Sequence, residues 1–141
     1  MKKDVLRLWV EDLETTDARQ GHGYLAQTTT DYIGTEPSVE YCCLGRLCAI
    51  AVKAGVIQPP TWIDARGLDT TVAVYGENDY GEPETAVLPD VVRRWAGLDE
   101  PDPILDDGDP DLPIRASELN DTYDKTFREI ARFIRDKFDI H

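Results

Sequence analysis

Three cysteines lie within seven positions of the sequence, in the segment Tyr41-Cys42-Cys43-Leu44-Gly45-Arg46-Leu47-Cys48. Apolar residues at helical spacing predict that a helix begins at Cys43. A cysteine at the start of a helix feels the positive end of the helix dipole, which lowers its pKa and favours the reactive thiolate. Cys42 and Cys43 are therefore candidate nucleophiles.

A cysteine nucleophile also needs a base that takes its proton. The sequence has two histidines, His22 and His141, and His22 is the candidate base if its glycine-flanked turn reaches Cys42. The alternative is that the three cysteines are small buried hydrophobic residues. A zinc site needs a second pair of ligands at comparable spacing, and the sequence has none. We therefore predict no metal and no cofactor.

The charge balance is strongly acidic. The chain has 28 Asp and Glu residues against 15 Lys and Arg, which gives a formal net charge of −13. Such a surface repels phosphate backbones and anionic lipids, so the sequence predicts no direct binding to nucleic acid or to membranes. In many proteins acidity serves only solubility. It is also suited to a partner protein with a basic surface.

The acidic residues concentrate in two predicted loops, 76–84 and 99–112, which hold four and seven of them and no basic residue. A calcium-binding EF-hand is excluded, because placing Gly108 at position six puts Pro103 and Leu105 at ligand positions. The loops are instead candidate contact surfaces for a partner. The candidate partner-binding residues are Glu77, Asp79, Asp106, Asp107, Asp109 and Asp111.

Helical spacing of apolar residues predicts three helices in the first hundred positions. The first covers Val5–Glu14 and the second Cys43–Ala54, where Gly55 suits the position after the helix. A shorter third helix covers Pro89–Ala96, because proline is favoured in a first turn and Gly97 can end the helix.

A fourth helix is predicted near the end of the sequence, beginning at Asn120 or Asp121, since both residue types are good N-caps. An apolar stripe then continues over four turns. Its members are Tyr123, Phe127, Ile130, Ala131, Ile134 and Phe138. The arginines between them are expected on a solvated face.

Strand signals lie between these helices. The segment Thr70–Tyr75 is the strongest, because it is rich in β-branched residues and is followed by turn-forming residues. Tyr24–Thr30 is a second strand, and Val39–Tyr41 returns beside it as a hairpin partner after a loop at Gly34–Pro37. Weaker candidates are Trp62-Ile63 and Thr85–Val87. Short connections favour a small antiparallel sheet.

The sequence is expected to belong to a cytoplasmic protein. No stretch approaches the roughly 18 apolar residues of a membrane-spanning helix. The basic start runs directly into the acidic residues Glu11, Asp12 and Glu14, where a secretory signal would need an apolar run. An odd number of cysteines without an export signal favours reduced thiols.

Four ordered segments of the sequence form one pattern. They are Gln20-Gly21-His22-Gly23-Tyr24-Leu25, the cysteine segment Tyr41–Cys48, Leu88-Pro89-Asp90-Val91-Val92-Arg93-Arg94-Trp95-Ala96-Gly97-Leu98, and Leu119-Asn120-Asp121 with Phe127, Ile130, Ala131 and Ile134. This pattern resembles that of a family of small proteins found in tailed-phage and actinobacterial genomes. The resemblance spans about Trp9 to Phe138 and implies a phage-like context and the helix placements given above.

Together these patterns predict a single α+β domain with about four helices packed on a small antiparallel sheet. The leading functional hypothesis is a phage-type accessory protein that binds a host or defence protein non-covalently. A second hypothesis is a protein that sequesters a small molecule or nucleotide signal, with His22, Tyr24 and Arg46 at the pocket. A third is a cysteine-dependent enzyme that uses Cys42 or Cys43 with His22.

Overall fold

Five helices and two sheets make up the computed structural model, which describes residues 2–29, 38–65 and 70–141. The predicted α+β class is confirmed. Four of the helices have at least seven residues, and the fifth is a six-residue helix near the end of the chain. None of the described helices is long and apolar enough to cross a membrane.

The first two helices form where the apolar spacing predicts them. Helix α1 (Lys3–Thr15) buries Leu6, Trp9 and Leu13 on one face. Helix α2 (Cys43–Lys53) is buried over most of its length and is followed by Gly55 at a φ of 76°. The left-handed backbone that glycine tolerates ends the second helix.

Helix α3 (Asp90–Ala96) also matches its prediction. Pro89 occupies the N-cap position, and Gly97 ends the helix at a φ of 70°. The backbone N–H of Lys2, just before α1, donates to the carbonyl of Ala96 over 3.4 Å. The start of the chain therefore lies against the end of α3.

The larger sheet contains five strands. They are β1 (Arg19–Gln20), β2 (Ala26–Thr29), β3 (Ser38–Tyr41), β4 (Thr61–Asp64) and β5 (Thr70–Val74). Their order is β1-β3-β2-β5-β4. The hairpin pairing of β2 with β3 is confirmed, with Ala26 opposite Tyr41. The predicted loop at Gly34–Pro37 lies outside the described residues.

The larger sheet is mixed rather than purely antiparallel. Strands β2, β3, β4 and β5 pair antiparallel, but β1 lies parallel to β3, with Gln20 opposite Tyr41. The N–H of Gly21 continues this contact and donates to the carbonyl of Tyr41 over 2.8 Å. Two residues carry no strand pattern of their own, so only the tertiary contact defines β1.

The predicted acidic loop at 99–112 contains a strand. Strand β6 (Ile104–Asp106) pairs antiparallel with β7 (Ile114–Arg115) in a second small sheet. The weak strand predicted at Thr85–Val87 is wrong. One carboxylate oxygen of Glu84 accepts the N–H groups of these three residues over 3.0–3.3 Å, which folds the segment into a turn.

The predicted start of the last helix is wrong. Residues 120 and 121 end a short helix, α4 (Ala116–Asp121), and the long helix α5 (Phe127–Phe138) begins six positions later. Thr126 Oγ1 accepts from the N–H of Glu129, and the Glu129 carboxylate accepts from the N–H of Thr126. This capping box satisfies two N–H groups at the start of α5. Tyr123, predicted in the apolar stripe, is 45% exposed.

The core lies between the helices and one face of the larger sheet. Helix α1 packs against α2, α3 and α5. Ala26 and Ala73 are fully buried and share one sheet face by their register. The largest buried side chains are Trp9, Leu6, Leu25, Leu44, Leu47, Leu88, Leu119, Ile130 and Ile134.

Candidate functional site

The cysteine segment lies in the core rather than at the surface. Cys43 and Cys48 are fully buried, and Cys42 is 4% exposed. Cys42 is the N-cap of α2, where its sulfur accepts the N–H of Gly45 over 3.4 Å. The Cys43 thiol points at the carbonyl of Ala116, 3.6 Å away.

The lowered thiol pKa expected at the helix start is wrong. Burial raises the pKa of Cys42 to about 12, although N–H groups of Gly45 and Leu44 act in the opposite direction. Burial also raises the pKa of Cys43 and Cys48 well above the ordinary value. Loss of solvation outweighs the helix dipole because a buried thiolate has no water around it.

The candidate base His22 lies at the surface. Its Nε2 atom is 3.2 Å from Oδ1 of Asp124, and both side chains are at least half exposed. Among the described residues, no hydrogen bond joins His22 to a cysteine. The structure therefore does not assemble the predicted Cys–His pair.

Arg46, predicted at a ligand pocket, serves instead to join two helices. Its Nε and Nη2 donate to the two carboxylate oxygens of Asp12 in α1 over 2.9 and 2.8 Å. The guanidinium also lies 4.7 Å from the centre of the Tyr41 ring. The hydrogen bonds to Asp12 raise the pKa of Arg46. Its cationic group is already occupied by partners within the fold.

The three residues of the predicted ligand pocket have separate contacts. Tyr24 is 36% exposed and precedes β2, while Arg46 contacts Asp12 and His22 contacts Asp124. No hydrogen bond or ion pair connects the three within the described parts of the chain. Gly21, next to His22, lies close to Glu40, since a Cβ added at Gly21 would be only 2.8 Å from the Cβ of Glu40.

Sequence reasoning missed the role of Asn120, the one buried polar side chain that the described residues contain. Its Oδ1 accepts from the N–H of Cys43 over 3.1 Å and from Nε2 of Gln20 over 2.9 Å. Its Nδ2 donates to the carbonyl of Gly21 over 2.8 Å. Asn120 therefore joins β1 and the following turn to the start of α2.

Gln20, Gly21, Cys43 and Asn120 form one hydrogen-bonded group, the Asn120 cluster. A signal for this cluster was present in the sequence. Gln20-Gly21, Cys42-Cys43 and Asn120 belong to three of the four segments that carry the family resemblance. These residues have a structural role, because both polar side-chain atoms of Asn120 are hydrogen-bonded within the protein. A buried amide with all its hydrogen bonds made is typical of a network that specifies the fold.

The first acidic loop, 76–84, is a hydrogen-bonded hairpin. Oδ1 of Asn78 accepts the N–H groups of Tyr80 and Glu82 over 2.9 and 3.1 Å. Glu77 and Asp79 are exposed, and the Tyr80 side chain is 87% exposed. A hydrogen bond with the carboxyl of Asp90, and the like charge beside it, raise the pKa of Asp79.

The second acidic loop, 99–112, is held by turns and ion pairs. Asp106 accepts from the N–H of Gly108 over 3.1 Å, and Asp109 accepts from the N–H of Asp111 over 3.0 Å. Asp107 pairs with Lys137 of α5, which lowers the pKa of Asp107. All of these residues except the half-buried Asp106 are exposed.

The two acidic loops are connected through one segment of backbone. The N–H of Asp90 donates to the carbonyl of Glu77, and the N–H of Leu88 donates to the carbonyl of Pro101, each over 3.0 Å. Both loops are thus tied to the turn that leads into α3. Residues 2–29, 38–65 and 70–141 contain no group of three or more His, Cys, Asp or Glu side chains arranged to hold a metal ion.

Comparison with known proteins gives a family for this chain. A family model described as a domain of unknown function, DUF8296, matches residues 1–138. The chain belongs to this family. No curated protein and no solved structure matches the sequence.

The DUF8296 match includes the Asn120 cluster, the cysteine segment and both acidic loops. Of these, the first two are internal to the fold, since their polar groups and thiols are buried. In the acidic loops, by contrast, most of the carboxylate side chains are exposed.

Proposed function

We propose that this protein is a phage-type accessory protein that acts in the host cytoplasm by non-covalent binding to a host or defence protein with a basic surface. The observation that carries the proposal is the concentration of exposed carboxylates in loops 76–84 and 99–112. Complementary charge across an interface steers two proteins together and disfavours partners of like charge.

Several carboxylates in these loops are free to contact a partner. Glu77, Glu82, Asp109 and Asp111 are exposed, and no salt bridge to a described Lys or Arg engages them. By contrast, Glu100 and Asp107 pair with Arg115 and Lys137. The free carboxylates leave a local excess of negative charge, which favours a partner that presents Lys or Arg.

The backbone of both loops supports the same proposal. The side chains of Asn78 in the first loop and of Asp106 and Asp109 in the second accept hydrogen bonds from the backbone N–H groups of their own turns, which favours the ordered turn. A loop that is ordered before binding loses less conformational entropy when a partner binds. The carboxylates are therefore presented from a prearranged backbone.

The two alternative functions have less support. A cysteine-dependent enzyme needs an accessible thiolate, and burial raises the pKa of all three thiols. A ligand pocket at His22, Tyr24 and Arg46 needs these side chains to converge, whereas Arg46 is bound to Asp12. Protein binding through the acidic loops needs no rearrangement of the fold.

The test is affinity capture of the tagged protein from bacterial lysate, with mass spectrometry of the proteins that co-elute. The double variant Asp109→Lys/Asp111→Lys is compared with the wild-type protein. A matched control is Asp17→Lys/Asp136→Lys, which makes the same charge change at two exposed positions outside the loops. We expect a basic partner whose affinity falls at least about tenfold in the loop variant and stays near wild type in the control.

A second double variant, Glu77→Lys/Glu82→Lys, tests the first loop in the same way. Rising salt should weaken wild-type capture, because exposed charges are screened over about 8–10 Å. Equal loss of the partner in the loop and control variants would show that only net charge matters. A partner that binds all variants equally would refute the assignment of the acidic loops.

A further inference from the structure

A cavity of about 290 Å³ opens between the second acidic loop and the last turn of α5. Its apolar lining comes from Leu98, Pro103, Ile104 and Phe138. Leu98 is buried, while Ile104 and Phe138 are half-buried. Small-molecule sites usually span roughly 300–1,000 Å³, so this cavity has room for about one large side chain.

Charged side chains form the rim of this cavity. Asp99, Glu100 and Lys137 line it beside the apolar residues. Glu100 pairs with Arg115, and Lys137 pairs with Asp107, so these two charges are balanced within the fold. Asp99 is exposed, and no described side chain donates to its carboxylate. The rim is therefore net negative around an apolar floor.

We propose that this cavity accepts one aromatic or long aliphatic side chain of a partner protein, flanked in the partner's sequence by Arg or Lys. The inference deepens the proposed function and rests on it. The apolar floor takes the inserted side chain, and the exposed carboxylate of Asp99 pairs with a flanking cation. A buried apolar anchor surrounded by polar contacts is the usual arrangement of a binding hot spot.

The negative charge around the cavity determines which kind of molecule can bind there. An anionic ligand would meet Asp99 and a chain whose net charge is −13, and a second copy of this protein would bring the same negative charge to the interface. A cationic segment is attracted by the same field. The apolar floor then adds affinity that charge alone cannot supply, because burying an apolar side chain is favourable at any salt concentration.

The test uses NMR titration of the ¹⁵N-labelled full chain with three blocked tripeptides. Acetyl-Arg-Trp-Arg-amide is the probe, acetyl-Arg-Ala-Arg-amide lacks the apolar anchor, and acetyl-Glu-Trp-Glu-amide reverses the charge. We expect the first to shift the amides of Leu98, Ile104 and Phe138 and to bind about tenfold more tightly than the second. Asp99→Lys should weaken the first peptide severalfold, and the control Asp17→Lys should not.

Each of the other outcomes would contradict the cavity proposal, the cationic occupant or the proposed function. The two arginine peptides could instead bind with equal affinity and shift the amide signals throughout loops 76–84 and 99–112. This outcome would overturn the cavity proposal but would agree with binding through the acidic loops. Binding of the glutamate peptide at the cavity, as tight as that of the arginine–tryptophan peptide, would overturn the cationic occupant. Failure of both arginine peptides to bind would count against the cavity and the proposed function together.

Discussion

The side-chain oxygen of Asn120 accepts a hydrogen bond from the backbone N–H of Cys43, 77 positions earlier in the chain. Cys43 is the first residue of α2, where N–H groups have no partner inside the helix. Asn120 thus acts as a cap supplied from a distant part of the chain. Its amide nitrogen binds the carbonyl of Gly21 at the same time.

Replacing this amide should destabilise the protein strongly. Asn120→Ala leaves the N–H of Cys43 and the carbonyl of Gly21 without partners in the core. An unsatisfied buried polar group costs about 1–3 kcal/mol, so we expect the free energy of unfolding to fall by about 3 kcal/mol. Urea denaturation monitored by circular dichroism measures the change.

The matched control is Asn78→Ala, which removes two hydrogen bonds of the same type in the exposed hairpin. Water can replace these bonds, so the expected loss of stability is under about 1 kcal/mol. Equal losses for the two variants would show that burial of Asn120 does not govern its contribution.

Gly45 should be intolerant of any side chain. An added Cβ would lie 1.7 Å from the carbonyl oxygen of Leu25, which is backbone and cannot rotate away. Alanine in place of glycine within a helix ordinarily stabilises by about 1 kcal/mol. Here we expect Gly45→Ala to lower the free energy of unfolding by at least about 3 kcal/mol, because α2 must move away from the backbone of Leu25.

Gly55 is the control position for the cost of adding a side chain at Gly45. An added Cβ there meets nothing within 4 Å, and only the φ of 76° opposes a side chain. Gly55→Ala should therefore cost about 1 kcal/mol. Thermal and urea denaturation of both variants would test the difference, and a stabilised Gly45→Ala protein would contradict the close contact.

Stability should fall in alkaline solution. The folded pKa of Cys42 is about 12 against an ordinary value of 9.0, so the unfolded chain loses this proton first as pH rises. The thiol's contribution is thus fully present below about pH 8 and declines above pH 9. Each such thiol lowers the free energy of unfolding by up to about 1.4 kcal/mol per pH unit.

Urea denaturation at several pH values between 7 and 10 measures this slope. Cys42→Ala should make the decline above pH 9 shallower than in the wild-type protein, since one buried thiol is removed. The thiols should also react with a disulfide reagent only slowly in the folded protein and rapidly in urea. Fast labelling of Cys42 under native conditions would contradict its burial.

The capping box of α5 should contribute measurably to stability. Thr126→Ala removes the acceptor for the N–H of Glu129, and loss of an N-cap typically costs about 1 kcal/mol. Thr122→Ala is the control, because Thr122 is exposed and follows α4 without a side-chain hydrogen bond to a described residue. Calorimetric melting temperatures should fall only for Thr126→Ala.

The capping box also predicts an acid-dependent effect. Hydrogen bonds from Thr126 lower the pKa of Glu129. This contribution is present above the ordinary glutamate pKa and is lost as pH falls through the lowered one. The backbone N–H of Thr126 is the main donor and stays in Thr126→Ala, so the test removes the carboxylate instead. The difference in stability between wild type and Glu129→Ala should therefore shrink in acid, and a constant difference down to pH 2 would contradict the pairing.

Helices α1, α2 and α3 and strand β5 could be predicted because their signals are local. Trp9 and Leu13 repeat on one helical face, Gly97 ends a helix by its own backbone preference, and Val72 lies in a run of β-branched residues. In each case neighbouring residues in sequence are also the residues that decide the conformation. The first acidic loop followed in the same way from its turn-forming residues, whereas strand β6 in the second forms by pairing with β7.

Contacts between residues that are distant in the sequence decided the role of Asn120 and the environment of Cys42. Asn120 looks like a helix cap in sequence, but tertiary packing places it near the end of α4 with its side chain at the start of α2. Cys42 does begin a helix, yet the packing around it removes water and raises its pKa instead of lowering it. The sequence by itself determined helices α1, α2 and α3 and strand β5, because in these segments the conformation depends on near neighbours. Burial depends on residues that are distant in the chain, so only the tertiary structure decided which polar groups are internal and which are exposed.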